Sequence, residues 1–199
     1  MARYLLYKFL FNIVYWFKAP WDIGRPQPVI KDLVKRGEIA GRVLDVGCGA
    51  GDTIIYLARK GYEVMGIDFV PRAIDITSKR ARKAGLTIPL LVHDALRLDE
   101  LDEKFDTVID AGLFHNFSDG NRKRYAESLA SVLKKGGSYY MLCFSDAQGG
   151  FVGPRRISKD DIYKTFADGW DVLYIHETKY RAYYPIGGAH AWIASLRRE

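Results

Sequence analysis

The stretch that decides the fold is RVLDVGCGAGDTIIYLARKGYEVMGIDF, residues 42–69. It contains an apolar run, a turn with three alternating glycines, a helix-like segment that ends at Gly61, and a second apolar run that ends in Asp68. Short apolar runs bounded by turn residues are typical of buried strands, and glycine commonly follows the end of a helix. The stretch therefore predicts a strand, a glycine turn, a helix and a second, parallel strand.

The same alternation of strand and helix continues towards the C-terminus. Helices are predicted over residues 71–85, 119–137 and 158–170, with Pro71 in a first turn and Ser158 as an N-cap. Further strands are predicted over residues 88–95, 105–114, 138–145, 171–181 and 190–198. This order predicts an α/β fold: a seven-stranded, mostly parallel sheet with helices on both faces. The connector between the last two strands is too short for a parallel crossover, so we expect an antiparallel last strand.

Composition, length and cysteine content indicate the domain organisation and the cellular compartment. The 199 residues are 48% hydrophobic and 27% charged, and no linker or repeat divides them. We therefore expect one domain over residues 1–199, with an N-terminal helical extension over 1–37 and a core over 38–199. Cys48 and Cys143 make no disulfide framework and indicate a reducing, cytoplasmic compartment. No cysteine or histidine cluster has metal-ligand spacing, so no metal is expected.

The net charge and the apolar N-terminal segment indicate which classes of partner are compatible with the sequence. The net charge of +6 is compatible with anionic ligands, a membrane surface or solubility alone. No long basic run with interleaved aromatic residues is present, which argues against nucleic acid. Residues 4–17 are strongly apolar and aromatic but shorter than the roughly 20 residues that span a bilayer. This segment fits a helix packed on the domain, a lid over the site, or a weak membrane-surface contact.

The glycine turn predicts a ligand that carries a ribose. Ligands of open α/β sheets bind outside the carboxyl ends of the strands, where Asp68 can accept both ribose hydroxyl protons. The third position of the dinucleotide fingerprint, counted from Gly47, is Asp52, which would repel a pyrophosphate at the helix start. Asp45 adds to the negative field. The pattern favours a nucleoside that carries a cation such as an ammonium group, without phosphate.

With these residues in place, VLDVGCGAGD, GIDF and HDALRL together resemble the motifs of class I methyltransferases, Rossmann-like enzymes that use S-adenosyl-L-methionine and release S-adenosyl-L-homocysteine. The resemblance covers nearly the whole chain and implies roles for specific residues. The methionine part of the cofactor would lie against the glycine turn, the ribose would bind Asp68, and the adenine would lie beside Phe69. The segment 110–115 would form the floor of the site where the methyl group is transferred. The expected cofactor-binding residues are Trp21, Gly47, Cys48, Gly49, Asp52, Asp68, Phe69, Asp94, Ala95 and Asp110.

A second stretch, PWDIGRPQPVIKDLVKRGEIAGRVLDVGCG, is similar to the opening of the thiopurine, thiol and halide methyltransferase group. In that group a tryptophan, here Trp21, packs near the methionine end of the cofactor. DAGLFHNF and FADGWDVLYIHETKYR look closer still to the small bacterial, mycobacterial-type heterocyclic toxin methyltransferases. The resemblance implies a small-molecule acceptor and does not identify it.

The expected reaction is an in-line displacement of the methyl group by an O, N or S atom of a small aromatic or heterocyclic acceptor. His115 and Asp110 are the candidate bases, and each also has a structural interpretation: His115 as a packing or substrate contact, Asp110 as a contact of the cofactor. The candidate substrate-binding residues are Phe17, Phe114, His115 and Phe151.

Other functions stay open at this point. A thiol, halide or metalloid acceptor is the nearest alternative, and a binding module that holds the cofactor without turnover is a different class. A nicotinamide-dependent oxidoreductase is disfavoured by the misplaced third glycine. A monomer and a homodimer are both compatible with the pattern.

Overall fold

A seven-stranded sheet runs through the described part of this computed structural model, residues 11–150, 153–183 and 187–199. The strands are β1 (Val43–Val46), β2 (Val64–Asp68), β3 (Leu90–Val92), β4 (Phe105–Ala111), β5 (Leu133–Phe144), β6 (Trp170–Tyr180) and β7 (Ala189–Arg198). The α-helices are α1 (Pro28–Lys35), α2 (Asp52–Arg59), α3 (Pro71–Lys83), α4 (Asp119–Val132) and α5 (Lys159–Thr165). Two 3₁₀ helices span Ala95–Leu101 and Phe114–Asn116, and residues 11–14 are also helical.

The strand order is β3-β2-β1-β4-β5-β7-β6. The first five strands in this order are parallel, and β7 runs antiparallel to both β5 and β6. The α/β fold with a mostly parallel sheet and an antiparallel last strand is thus confirmed. Because β1 lies between β2 and β4, the order reverses beside β1, and the glycine turn after β1 opens at that switch point.

Helices cover both faces of the sheet, as the alternation predicts. Along β7, Trp192 and Ala194 face one apolar cluster, while Ala191 and Ile193 face another. The first cluster is completed by α4 and α5, and the second by α1 and α2. Alternate side chains of one strand therefore pack against opposite layers, which holds the strand ends at fixed positions.

Local signals account for several element boundaries. Pro71 stands in the first turn of α3, and Ser158 and Asp161 form a reciprocal capping box at α5. The helix predicted to run to residue 137 ends instead at Val132, where β5 begins at once. Pairing of Leu133 with Phe105 draws the chain into the sheet before the two glycines are reached. The division into an extension over 1–37 and a core over 38–199 stays a prediction.

Candidate active site

The glycine turn after β1 forms a tight backbone cradle. The backbone N–H groups of Gly47 and Cys48 both donate to the Ile67 carbonyl at the end of β2, at 2.8 and 2.9 Å. Gly49 has a left-handed φ of 55°, and a Cβ added there would lie 2.9 Å from the Tyr15 hydroxyl oxygen. Glycine therefore lets other groups approach this backbone closely, and at Gly49 the Tyr15 hydroxyl does so.

Asp68 ends β2 directly beside the cradle. Its carboxylate is buried and accepts the backbone N–H groups of Gly49 at 3.0 Å and Val70 at 2.9 Å. Burial raises the pKa of Asp68 to about 6, and these two hydrogen bonds oppose the shift. One bond to each oxygen fixes the carboxylate and leaves lone pairs for two hydroxyl donors.

Asp45 lies within β1, one strand away, and is also buried. The Ile54 backbone N–H hydrogen-bonds this carboxylate, but Oδ2 finds no partner among the described residues. Burial, followed by the negative charges of Asp110 and Asp68, raises the pKa of Asp45 to about 8. A buried carboxylate with an open oxygen is costly by itself and is suited to a cationic ligand group.

The predicted adenine contacts lie at the same sheet edge. Asp94 follows β3 and caps the 3₁₀ helix, accepting the Leu96 backbone N–H at 3.0 Å on one oxygen. The His93 backbone N–H donates to the Asp68 carbonyl at 3.0 Å, which ties this loop to the end of β2. Ala95 is buried next to Asp94, and Phe69 follows Asp68 directly. The structure therefore brings Asp68, Phe69, Asp94 and Ala95 together.

Asp52, at the start of α2, shares a cation with a second acid, Asp22. Arg80 of α3 lies 3.4 Å from Asp52 and forms a two-pronged ion pair with Asp22, at 2.8 and 2.7 Å. The same guanidinium donates to the Ala50 carbonyl of the glycine turn at 3.0 Å. Arg80, already paired with Asp22, offsets the charge of Asp52 only in part, so the expectation that Asp52 faces the ammonium group stays a prediction.

Asp110, at the end of β4, is enclosed by donors. Its oxygens accept the backbone N–H groups of Gly112, Leu113 and Phe114 and the hydroxyls of Tyr125 and Tyr139, over distances from 2.6 to 3.2 Å. Two carboxylate oxygens offer about four lone pairs, so these five bonds leave none for a substrate proton. Burial raises the pKa of Asp110 to about 6. The carboxylate fixes the turn after β4, which argues against its predicted roles as base and cofactor contact.

His115 is buried just beyond that turn. Its Nδ1 accepts the Phe144 backbone N–H at 3.0 Å, so the proton of the neutral ring is assigned to Nε2. Burial, and then the charge of Arg156, lowers the pKa of His115 to about 3. The ring is therefore neutral, and its proton is on Nε2. In this arrangement His115 can donate a hydrogen bond but has no free lone pair with which to act as a base.

An aromatic wall stands around His115. The rings of Phe144 and Tyr180 lie edge-on to the imidazole, with centroids 4.8 and 6.1 Å away. The Tyr180 hydroxyl donates to the Ala111 carbonyl at 3.2 Å, and a Cβ at Gly112 would lie 2.7 Å from that hydroxyl. We call His115, Phe144 and Tyr180 the aromatic wall; it adjoins the turn after β4.

The other predicted substrate contacts lie elsewhere. Phe114 is fully buried in the core and stacks on Phe166 with a centroid distance of 5.9 Å, because Asp110 turns the chain inward there. Phe17 is 74% exposed and points away from the core. Neither ring lines the site, and Phe151 lies outside the described residues.

The N-terminal extension crosses the site as a strap, residues 11–27. Tyr15 lies over Gly49, and Trp21 packs on Tyr15 with its indole N–H 3.3 Å from the hydroxyl. In the second half of the strap Asp22 is held by Arg80, and at its last residue the Gln27 side chain makes two 2.8 Å hydrogen bonds with the backbone of Arg181. The strap thus joins α3 to the end of β6 across the carboxyl ends of the strands.

These residues fit S-adenosylmethionine. The glycine turn permits close approach to its backbone, Asp68 suits ribose hydroxyls, and the buried, unpartnered oxygen of Asp45 suits the ammonium group of the methionine part. Asp45 could have been singled out in the sequence as the acid inside an apolar strand. Tyr15 and Tyr180 carry no such signal, because they reach the site from distant parts of the chain.

Comparison with known proteins agrees with this geometry. The sequence profile of a family described as "Methyltransferase domain" matches residues 43–137. The 2-heptyl-1-hydroxyquinolin-4(1H)-one methyltransferase of Mycobacteroides abscessus is 34% identical over 158 residues, which cover 78% of this chain and 70% of that protein. A probable thiol methyltransferase of Arabidopsis thaliana is 33% identical over 132 residues, 63% of this chain and 57% of the relative.

Solved structures extend the comparison. A structure described as "Conversion of a Disulfide Bond into a Thioacetal Group during Echinomycin Biosynthesis" has a TM-score of 0.88 and 34% identity, covering 96% of this chain and 93% of that one. The fold is shared, at 21–23% identity, with methyltransferase structures that hold bound S-adenosylmethionine or S-adenosylhomocysteine. The chain belongs to the Rossmann-like S-adenosylmethionine-dependent methyltransferases.

Proposed function

We propose that this enzyme transfers a methyl group to an O, N or S atom of a small aromatic or heterocyclic molecule. The observation that carries the proposal is the aromatic wall beside the turn after β4. Flat rings pack well against such side chains, and aromatic faces also attract a sulfonium cation. The hydroxyquinolone methyltransferase among the relatives supports the same class of acceptor.

The cofactor supplies a methyl group already activated on a sulfonium. We propose that Asp68 binds the ribose hydroxyls, that Asp94 and Ala95 contact the adenine, and that Asp45 faces the ammonium group beside the glycine cradle. The protein then contributes position and electrostatics more than bond-making chemistry, and good alignment alone is worth roughly 7–11 kcal/mol. Tyr15 and Trp21 exclude water from above the cradle.

The acceptor is expected to ionise without a base from the protein. Asp110 is filled by five donors, and Nδ1 of His115 is occupied by a backbone N–H. An acceptor that ionises near neutral pH needs no base from the protein. The Nε2–H of His115 would instead donate to the acceptor and orient its nucleophilic atom for in-line attack.

A mass-spectrometric methyl-transfer assay tests the proposal. The protein is incubated with S-adenosylmethionine and a pool of hydroxyquinolones, phenols, thiols, thiopurines and iodide. A methylated heterocycle or phenol is the expected product, and Asp68→Ala should lose both the product and S-adenosylhomocysteine binding. Full cofactor binding by that variant would contradict the assignment of Asp68.

A thiol, halide or metalloid ion is the second candidate acceptor, favoured by the similarity to a probable thiol methyltransferase. Methylated thiol or iodide as the only product would select it. Cofactor binding without any product from the pool would favour a binding module over an enzyme for these acceptors.

A further inference from the structure

One exposed surface of the strap carries several large apolar and aromatic side chains. Trp16 and Phe17 are 71% and 74% exposed, and Ile13, one helical turn before Trp16, is 40% exposed. Tyr183, from the segment after β6, is 53% exposed and lies beside Lys18. These four residues are half of the large hydrophobic side chains exposed in the described part of the chain, and they lie within or against one short segment.

Cations accompany these rings. The Arg72 guanidinium lies 4.8 Å from the centre of the Trp16 ring, and the Lys18 ammonium lies 4.5 Å from the centre of the Tyr183 ring. Arg72 also pairs with Asp75 at 2.9 Å, so its charge is partly matched, whereas Lys18 hydrogen-bonds only the Tyr183 hydroxyl among its described contacts. We call Trp16, Phe17, Lys18, Arg72 and Tyr183 the aromatic–basic patch.

The remaining exposed hydrophobic residues differ from this patch. Leu91 and Val92 belong to the edge strand β3, while Tyr163 and Leu173 stand separately on α5 and β6. Single exposed side chains of this kind are normal on a protein surface. Adjacent indole and phenyl rings flanked by cations are instead the composition that places a protein at the boundary of lipid headgroups and acyl chains.

We propose that the aromatic–basic patch docks the enzyme on a membrane that carries anionic lipids. Trp16 and Phe17 would enter the interface, and Lys18 and Arg72 would lie at the level of the negatively charged headgroups. The net charge of +6 complements such a surface. In the described residues no helix has the length and apolar character needed to cross a bilayer, so the contact proposed is peripheral.

The position of the patch links docking to the site. Trp16 and Phe17 directly follow Tyr15, whose hydroxyl lies over the glycine turn, and Tyr183 donates its backbone N–H to the Pro20 carbonyl at 2.9 Å. Docking would therefore set the strap against the lipid surface and give the site access to an apolar acceptor dissolved there. This consequence rests on the proposed function, whereas the docking itself does not.

Vesicle sedimentation without acceptor or turnover tests the docking. The full chain is mixed with phosphatidylcholine vesicles that contain about 30% phosphatidylglycerol, and with vesicles of phosphatidylcholine alone. We expect binding to the anionic vesicles that weakens severalfold when salt rises from about 50 to about 500 mM. The double variant Trp16→Ala/Phe17→Ala should bind about tenfold more weakly.

Tyr163→Ala is the matched control, because it removes a comparably exposed aromatic ring from another surface and should leave vesicle binding unchanged. S-adenosylhomocysteine binding shows that each variant is folded. Failure of the wild type to bind anionic vesicles would overturn the proposal, as would equal binding by the double variant. Self-association that only the double variant loses, with no vesicle binding, would make the patch an interface between copies.

Discussion

Asp45→Asn removes the charge of the buried carboxylate that has an open oxygen. Burial and the neighbouring acids raise the pKa of Asp45 to about 8, so below that pH the ligand-free protein holds a proton there. A cationic group can pair with Asp45 only after this proton leaves, at a cost of about 1.4 kcal/mol per pH unit. Affinity for S-adenosylhomocysteine, which carries the ammonium group, should rise about tenfold per unit from about pH 6 to about pH 8 and then level off.

Isothermal titration calorimetry in two buffers with different ionisation enthalpies measures both affinity and proton release. The wild type should release about 0.9 proton on binding at about pH 7. Asp45→Asn should release none, show a flat profile over the same range and bind at least about tenfold more weakly at about pH 8.

Two controls separate the ammonium contact from general damage. 5′-Methylthioadenosine lacks the amino-acid part, so its affinity should not change in Asp45→Asn. Asp52→Asn removes a nearby acid that contributes less to the raised pKa of Asp45 than burial, Asp110 or Asp68, so it should keep most of the proton release of the wild type. An unchanged pH slope in Asp45→Asn, or an equal loss of affinity for both ligands, would refute the reasoning.

The same shift predicts the pH dependence of stability. The folded-state pKa of about 8 lies above the usual value of 3.8, so the folded protein binds the proton more tightly than the unfolded chain. The stability that this proton contributes is present at low pH and is lost as pH rises towards 8. Urea unfolding of the ligand-free protein should show this loss, and Asp45→Asn should show less of it.

Three further outcomes are expected. Asp110→Asn should lower the free energy of unfolding by about 3 kcal/mol or more in urea titrations, because an amide cannot accept all five hydrogen bonds. Arg80→Ala should speed hydrogen exchange in the strap, residues 11–27, and weaken S-adenosylhomocysteine binding, because Asp22 loses its two-pronged partner. In His115→Gln the inflection of the pH–rate profile should persist, and across acceptors it should follow the acceptor's own pKa; an inflection common to all acceptors would indicate a base on the enzyme.

Local signals in the sequence were sufficient for much of the fold. Alternating strand and helix patterns, the glycine turn and the short last connector predicted the parallel sheet and the antiparallel strand β7. The capping box at Ser158 could also be predicted from the sequence, because both of its partners lie within four residues of each other. The end of α4 could not be predicted, because the long-range pairing of Leu133 with Phe105 ends that helix before the two glycines that follow.

The chemistry of the site was less accessible because its decisive contacts are long-range. Arg80 contacts Asp52 from another helix, and no spacing in the sequence pairs them. His115 looked like a base because its residue type and position fit one. The hydrogen bond from the Phe144 backbone decides which nitrogen carries the proton, and only the packed sheet brings that N–H to the ring.

Three buried acids at one sheet edge show why residue type alone does not assign a role. Asp110 has five donors, Asp68 has two backbone donors, and Asp45 has an open oxygen. Since a buried carboxylate must be satisfied by the protein, a proton or a ligand, the number of donors ranks the three from structural anchor to ligand site. The acid least satisfied by the protein is therefore the one whose titration should respond most to the cofactor.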